Sequence, residues 1–115
     1  MHKSGHCQCG KIQYQVTGDP KWTALCHCES CRRACSAPIV AWMGFDPKDV
    51  EWSGERTFYK SSDIATRGFC NTCGTQMSFE APVGLVKYIF MRSRWTIRKS
   101  MSHICIVTMQ SVWIG

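Results

Sequence analysis

The sequence predicts a mainly β domain, with small antiparallel sheets, few short helical turns and bound metal. Two observations lead to this prediction. Short segments rich in β-branched and aromatic residues recur along the chain and are separated by Gly, Pro, Asp and Ser. The chain also contains nine cysteines in 115 residues, and seven of them fall in three tight clusters. Clustered cysteines are typical of small domains that are stabilised by zinc.

The clearest strand is segment 11–17, in which polar and apolar residues alternate with period two, as in a half-buried strand. Gly18, Asp19 and Pro20 then indicate a turn. Further strands are predicted at 22–26, 38–43, 56–60, 65–69, 76–80, 86–91 and 103–109. Helical signals are limited to a turn or two after Cys28 and a short turn at 46–49. The arrangement is typical of a β-rich domain.

The length and the spread of aromatic residues predict one domain over residues 1–115. A chain of this size supports one apolar core and is too short for two independent ones. The apolar share is 44%, and aromatic residues extend from Trp22 to Trp113. No internal repeat or linker divides the chain.

The cysteines are better explained by metal than by disulfides. Their number is odd, and the first fifteen residues contain no apolar run typical of a secretory signal. We therefore expect a cytoplasmic protein, and the absence of a stretch of about 20 apolar residues predicts no membrane partner. A buried, unligated cysteine is a suitable interpretation for Cys105 in an apolar run. It does not explain seven clustered cysteines.

The basic charge is a weak argument for nucleic-acid binding. The formal net charge of +6 counts every cysteine as neutral. Zinc held by four thiolates carries −2 and zinc held by three carries −1. Two such sites would lower +6 to +3, so nucleic acid is not the expected partner.

The first metal site is predicted from two complementary cysteine pairs. Cys7 and Cys9 precede Gly10, and Cys70 and Cys73 precede Gly74. In each pair the glycine lets the backbone fold back with its amides near the sulfurs. Two such pairs can form a tetrahedral four-thiolate zinc site, which has no vacancy for substrate and is therefore structural.

The second site is predicted from Cys26, Cys28 and Cys31, which supply three sulfurs within six residues. Three protein ligands leave a fourth position for water or substrate, as in a catalytic zinc site. Alternatively, Cys35 or His27 closes this site. His27 lies between two ligands in an extended segment, so its side chain should point away from theirs. It then either orients a ligand from outside or lies on the surface.

Arg32 and Arg33 directly follow Cys31. They form either a solvated pair that offsets the thiolate charge or an anchor for the carboxylates of an anionic substrate. The residues themselves do not separate these two interpretations.

Three motifs together resemble the glutathione-dependent formaldehyde-activating enzyme family, also called the centromere-protein-V-like domain. They are G-x-C-x-C-G at 5–10, C-H-C-x-x-C-R-R at 26–33 and S-S-x-x-x-x-R-x-F-C-x-x-C-G-T at 61–75. The ending, with His103 and Trp113, is also similar. The resemblance implies an Mss4-like (β-tent) fold with two zinc ions per chain. It places the structural ligands at Cys7, Cys9, Cys70 and Cys73 and the catalytic ligands at Cys26, Cys28 and Cys31.

Two features depart from the family pattern. Cys35 stands where a small residue is usual, and segment 90–99 is basic where an acidic, proline-containing stretch is expected.

The resemblance implies a zinc-dependent carbon–sulfur lyase or synthase acting on a thiol adduct. The expected reaction joins glutathione and formaldehyde as S-hydroxymethylglutathione, with the substrate thiol at the open zinc position. The alternative function is a non-enzymatic zinc-binding module that interacts with a protein or nucleic acid. An accessible ligand position at the second zinc would favour the enzyme.

Overall fold

The computed structural model of the chain describes residues 2–83, 86–92 and 104–107. These residues contain one α-helix, α1 (Glu29–Cys35), and a 3₁₀ turn at Pro47–Asp49. The strands are β1 (His2–His6), β2 (Gln13–Thr17), β3 (Trp22–Cys26), β4 (Val40–Phe45), β5 (Val50–Ser53), β6 (Thr57–Lys60), β7 (Thr66–Phe69), β8 (Gln76–Val83), β9 (Val86–Arg92) and β10 (Ile104–Val107). The prediction of a mainly β fold with few short helical turns is confirmed.

The strands form two sheets. A three-stranded sheet has the order β1-β2-β5, and a seven-stranded sheet has the order β10-β3-β4-β9-β8-β7-β6. Neighbouring strands are antiparallel except β3 and β10, which are parallel. The mostly antiparallel pairing therefore agrees with the sequence prediction.

Two glycines allow large aromatic rings to lie flat on the sheets. Gly5 of β1 is paired with Tyr14 of β2, and Gly44 of β4 is paired with Trp22 of β3. A Cβ atom at either glycine would collide with the paired ring. The missing side chain therefore lets Tyr14 become almost fully buried.

Strand β4 separates two apolar cores. Met43 and Phe45 on one face belong to a core that also contains Cys7 and Cys70, whereas Val40 and Trp42 on the other face pack in a core with Cys26 and Cys31. The side chains of a strand alternate between faces, so one strand serves both cores. Each core thus includes part of one cysteine cluster.

A bulge in β8 changes the face of the sheet to which the side chains of this strand point. Gly68 pairs with Ser78 but the next residue, Phe69, pairs with Gln76, which leaves Met77 as the extra residue of a bulge. Met77 packs in the core around Cys7, whereas Ala81 packs in the core around Cys26. The bulge comes directly after the turn that carries Cys73.

The strand predictions differ from the structure mainly at strand ends and in two omissions. The strand predicted at 38–43 is Val40–Phe45, and the sequence reading did not include β1 or β5. Both helical turns are present where they were predicted. The strand predicted at 103–109 is present as β10, Ile104–Val107. The basic segment beyond residue 92, positions 103, 108 and 109 and the ending with Trp113 lie outside the described residues. No helix in the described ranges is long and apolar enough to cross a membrane.

Candidate metal centres

The first cluster joins the two sheets. Cys7 and Cys9 lie in the turn after β1, and Cys70 and Cys73 lie in the turn between β7 and β8. Their four sulfurs all lie within 4.8 Å of one another, although 61 positions separate Cys9 from Cys70. The structure therefore brings together the four residues that the sequence predicted as one site.

The two turns of the first cluster have similar backbone geometry. The Gly10 amide donates to the Cys7 carbonyl at 3.1 Å, and the Gly74 amide donates to the Cys70 carbonyl at 2.8 Å. Both glycines have positive φ, +80° and +75°, a conformation that other residues rarely adopt. A third amide, that of Ile12, donates to the Cys7 sulfur at 3.3 Å. The backbone thus stabilises negative charge on the sulfur.

Besides the sulfurs, polar side chains form hydrogen bonds that connect the two turns. Thr75 Oγ1 accepts from the Gln8 amide at 3.1 Å, which leaves its hydroxyl hydrogen available to Cys73 Sγ at 3.2 Å. Lys11 Nζ donates to Asn71 Oδ1 and to Thr72 Oγ1. These contacts hold the turns in register independently of any metal.

The sulfur geometry fits zinc. A tetrahedral site with Zn–S bonds of about 2.3 Å has sulfur–sulfur distances of about 3.8 Å. The Cys7–Cys9 and Cys9–Cys70 sulfur distances are 3.5 and 3.8 Å. The eight cysteines whose side chains are described form no disulfide. Because four thiolates complete a tetrahedron, this cluster has no free coordination position.

The cysteines of the first cluster have widely different proton affinities. Hydrogen bonds from the hydroxyl and the amide of Thr75 lower the pKa of Cys73 to about 5. The Lys11 amide favours the Cys9 thiolate, but desolvation and the three neighbouring cysteines outweigh it and raise the pKa of Cys9 to about 11. The metal-free cluster therefore ionises in steps, because each new thiolate repels the next.

The second cluster is built where β3 meets α1. Cys26 ends β3, Cys28 is the N-cap of the helix and Cys31 lies in its first turn. The Cys28 sulfur accepts from the Cys31 amide at 3.4 Å, as the side chain of an N-cap residue commonly does. The three sulfurs lie within 4.8 Å of one another. Helix geometry therefore brings Cys31 back to the two earlier cysteines.

An open cleft of about 920 Å³ meets the second cluster at one cysteine. Cys28 lines the cleft and is half-buried, whereas Cys26 and Cys31 are buried. The other lining residues are Glu29, Ser30, Arg33, Ala34, Tyr59, Ser61, Arg67, Phe69 and Gln76. The cleft is of the size that small-molecule sites commonly have.

Neither residue that the sequence offered as a fourth ligand belongs to the second cluster. Cys35 and His27 are both absent from the group of ligand atoms within 4.8 Å. Cys35 instead lines a separate cavity of about 460 Å³ beside Cys73 and Thr75. The hypothesis that Cys35 or His27 closes the site is therefore not supported by the geometry.

The structure separates the two arginines that the sequence treated alike. Arg33 lines the cleft and forms an ion pair with Glu29 one helical turn earlier. Arg32 is half-buried and does not line the cleft. Only Arg33 is therefore placed to meet a ligand there.

Sequence reasoning assigned no role to Arg67, which the structure places beside the second cluster. Its Nη2 donates to Ser30 Oγ at 2.8 Å and to Cys31 Sγ at 3.5 Å. Its guanidinium lies 4.8 Å above the Phe79 ring, on the residue paired with it across β7 and β8. The arginine in the third motif was the available signal, but only the fold shows what it contacts.

Cys26 and Cys28 of the second cluster differ in proton affinity. Burial is the main cause that raises the pKa of Cys26 to about 12. Burial also opposes ionisation of Cys28, but the Cys31 amide, the other two thiols and the Arg67 charge together lower the pKa of Cys28. Negative charge is therefore better accommodated on Cys28, which meets the cleft, than on Cys26.

Comparison with known proteins finds similarity in sequence and in fold. A protein named as an uncharacterized lyase from Schizosaccharomyces pombe is 35% identical over 75 residues, which are 65% of this chain and 55% of that protein's length. The chain thus spans about half the length of that curated relative. A Rhodobacter sphaeroides protein of known crystal structure shares the fold, with a TM-score of 0.68 over 91% of this chain and 100% of that one, at 17% identity.

The family model described as glutathione-dependent formaldehyde-activating enzyme matches residues 2–103. The match covers both cysteine clusters and most of the chain, so the resemblance drawn from the three motifs is confirmed. The chain belongs to the glutathione-dependent formaldehyde-activating enzyme family.

Proposed function

We propose that this protein is a zinc-dependent carbon–sulfur lyase or synthase that interconverts a thiol plus formaldehyde with the S-hydroxymethyl adduct. Glutathione is the proposed thiol, on the basis of the family. The observation that carries the proposal is the contrast between the clusters. Four sulfurs complete one tetrahedron, whereas the other cluster has three sulfurs and meets a cleft at Cys28.

The donor set of the second cluster fits a catalytic zinc ion. Cys26, Cys28 and Cys31 would hold it and leave one of four positions to a ligand. Zinc bound there would supply Lewis acidity that favours the thiolate form of a substrate thiol. The cysteines are ligands in this proposal and not nucleophiles.

The cleft residues suit an anionic thiol. Arg33 and Arg67 bring two cations to its wall, and Tyr59, Ser61 and Gln76 bring neutral polar groups. A carboxylate of glutathione would pair with Arg33, whose guanidinium fork matches carboxylate geometry. That pairing would require Arg33 to exchange Glu29, an exposed partner whose ion pair contributes little stability.

The proposal is tested by the rate of exchange between free glutathione and its formaldehyde adduct. Exchange NMR measures this rate directly, including the spontaneous reaction. The zinc-loaded protein should accelerate exchange, and Cys31→Ser should return it to the spontaneous rate. Arg33→Gln should mainly raise KM for glutathione, since it removes binding and leaves the metal ligands in place.

Glu29→Gln is the matched control. It removes the other member of the ion pair and leaves Arg33 available to substrate, so KM should fall or stay constant. No acceleration by protein that carries zinc at both sites would contradict the proposal.

A further inference from the structure

Arg67 is a buried cation with no carboxylate beside it. Arg67 is 4% exposed, and no ion pair joins its guanidinium to Asp or Glu in the part of the chain that the structure describes. Burial of an uncompensated charge is costly, so buried arginines are normally paired. Instead of a carboxylate, Arg67 contacts the sulfur of Cys31, at 3.5 Å.

Arg56 is a useful comparison, because it is a second largely buried arginine and directly precedes β6, the strand beside β7. It stacks over Trp52 at 3.8 Å, and its Nη1 lies 2.6 Å from Glu80 Oε1. A carboxylate therefore compensates Arg56. Arg67 has an aromatic neighbour too, but a cysteine sulfur takes the place of the carboxylate.

The hydrogen bonds of Arg67 use only one of its terminal nitrogens. Nη2 contacts Ser30 and Cys31, both in the first turn of α1, whereas Nη1 is buried and has no hydrogen-bond partner among the described residues. Arg67 also lines the cleft. The guanidinium thus fixes the helix that carries Cys31 and retains an unused donor next to the cluster.

The charge of a loaded site explains such an arrangement. A divalent metal with three thiolates carries −1, and a fourth thiolate would make it −2. The positive charge of Arg67 changes these sums to 0 and −1. In a buried site, where the surroundings screen charge weakly, this offset lowers the cost of adding an anionic fourth ligand and changes the cost of a neutral one little.

We propose that Arg67 is the positioning residue and counter-cation of the three-cysteine site, and that it selects a thiolate over a neutral molecule as the fourth ligand. The inference rests on the proposed function in placing a metal at Cys26, Cys28 and Cys31. Arg67 acts through Cys31 and through its charge. Outer contacts of this kind commonly change metal affinity by about 10- to 100-fold.

The test uses the full chain loaded with cobalt, whose sulfur charge-transfer bands report each thiolate ligand and whose d–d bands report any fourth ligand. Parent protein and Arg67→Met are titrated with 2-mercaptoethanol, glutathione and imidazole. Arg67→Met should weaken both thiols about tenfold and leave imidazole within twofold, because only the thiols add negative charge. Arg67→Lys should keep the preference for thiols, since the charge remains.

Metal affinity supplies a readout that does not depend on any fourth ligand. Competition with a chromophoric chelator should show that Arg67→Met loses about 10- to 100-fold in affinity at the three-cysteine site and little at the four-cysteine site. Arg56→Met, which also removes a buried, stacked arginine, should leave the affinity of the three-cysteine site unchanged. Unchanged metal affinity of Arg67→Met at both sites would overturn the proposal.

The titrations also separate other roles of Arg67. Equal losses for thiols and imidazole would indicate a general disturbance of the site and would refute charge selection. A loss for glutathione alone would mean that Arg67 binds carboxylates, which also refutes it. If the parent binds no thiol at all, the proposed function fails, and the chelator competition still decides whether Arg67 supports the metal site.

Discussion

The two cysteine clusters use the same ligand type in opposite ways. The four-cysteine cluster draws its sulfurs from turns at strand ends in two sheets, across 61 positions of sequence, and includes the fully buried Cys7 and Cys70. The three-cysteine cluster draws all its sulfurs from one short segment between β3 and α1. Ligands that are far apart in sequence tie distant parts of the fold together. Ligands from one short segment can hold a metal without organising the rest of the chain.

The clusters also differ in how the protein compensates negative charge. Backbone amides and the Thr75 hydroxyl surround the four-cysteine cluster, and each contributes a partial charge. A full positive charge on Arg67 contacts the three-cysteine cluster. Neutral donors suit a site of fixed composition, and a cation suits a site whose ligands and charge change during a reaction.

The largest expected effect distinguishes the clusters by stability. Cys70→Ser should leave the domain unfolded, because structural zinc contributes roughly 10–16 kcal/mol at neutral pH, as much as a whole domain has to spare. Cys28→Ser should lose one metal and retain most of the fold, since the three ligands come from one short segment and a serine can still cap α1. Circular dichroism and thermal melting measure the difference. Equal losses of Tm would remove the distinction.

The order of metal loss should follow the same division. A chelator should remove metal from the three-cysteine site first, because that site has one thiolate fewer and meets a cleft. Release should therefore show a fast and a slow phase of equal size. Cys28→Ser should show the slow phase alone, and a single phase in the parent would argue that the sites are equivalent.

Where an osmolyte keeps the metal-free protein folded, its ionisation should reveal the stepwise charging of the four-cysteine cluster. The pKa of Cys73 is lowered to about 5, so its contribution to stability is present above the ordinary thiol pKa of 9.0 and is lost as pH falls through 5. The pKa of Cys9 is raised to about 11, so its contribution is present below 9.0 and is lost as pH rises through 11. Ultraviolet thiolate absorbance against pH measures both steps.

Cys73→Ser is the control for this titration. It should remove the early ionisation and leave the late one. A single step near 9.0 in a metal-free parent that circular dichroism shows to be folded would contradict the geometry of the cluster.

The smallest effect is expected from the hydrogen bonds that Thr75 forms beside the four-cysteine cluster. Thr75→Val removes the contacts to the Gln8 amide and the Cys73 sulfur. The loss should be about 2 kcal/mol, because one contact is to a charged group, and Tm should fall by about 8 °C. Thr72→Val, which loses exposed contacts to Lys11 and Asn71, should melt within about 2 °C of the parent. Equal shifts would show that the Thr75 contacts are incidental.

The sequence predicted the cysteine groups correctly because their pattern is local. A cysteine pair followed by glycine specifies a tight turn, and Cys26, Cys28 and Cys31 are brought together by one helical turn. Strands β2 and β3 were clear for the same reason. Strand β1, His2–His6, contains no β-branched or aromatic residue, and its pairing with β2 is not visible in its own composition.

The features that the sequence left open depend on contacts across the fold. Arg32 and Arg33 are adjacent in sequence, but helix geometry places only Arg33 on the side of α1 that faces the cleft. The contact of Arg67 with Cys31 spans 36 positions and requires β7 to lie beside α1. Composition and spacing carry no information about such a contact.

Native mass spectrometry tests the difference between the two clusters most directly, since one spectrum counts both metal ions and bound thiol. With a small thiol present, we expect the parent chain to carry two zinc ions and one thiol, and Cys28→Ser to carry one zinc ion and no thiol. A parent with a single zinc ion, or with disulfides in place of metal, would contradict the account. So would a thiol that stays bound to Cys28→Ser, because it would not occupy the open position at the three-cysteine site.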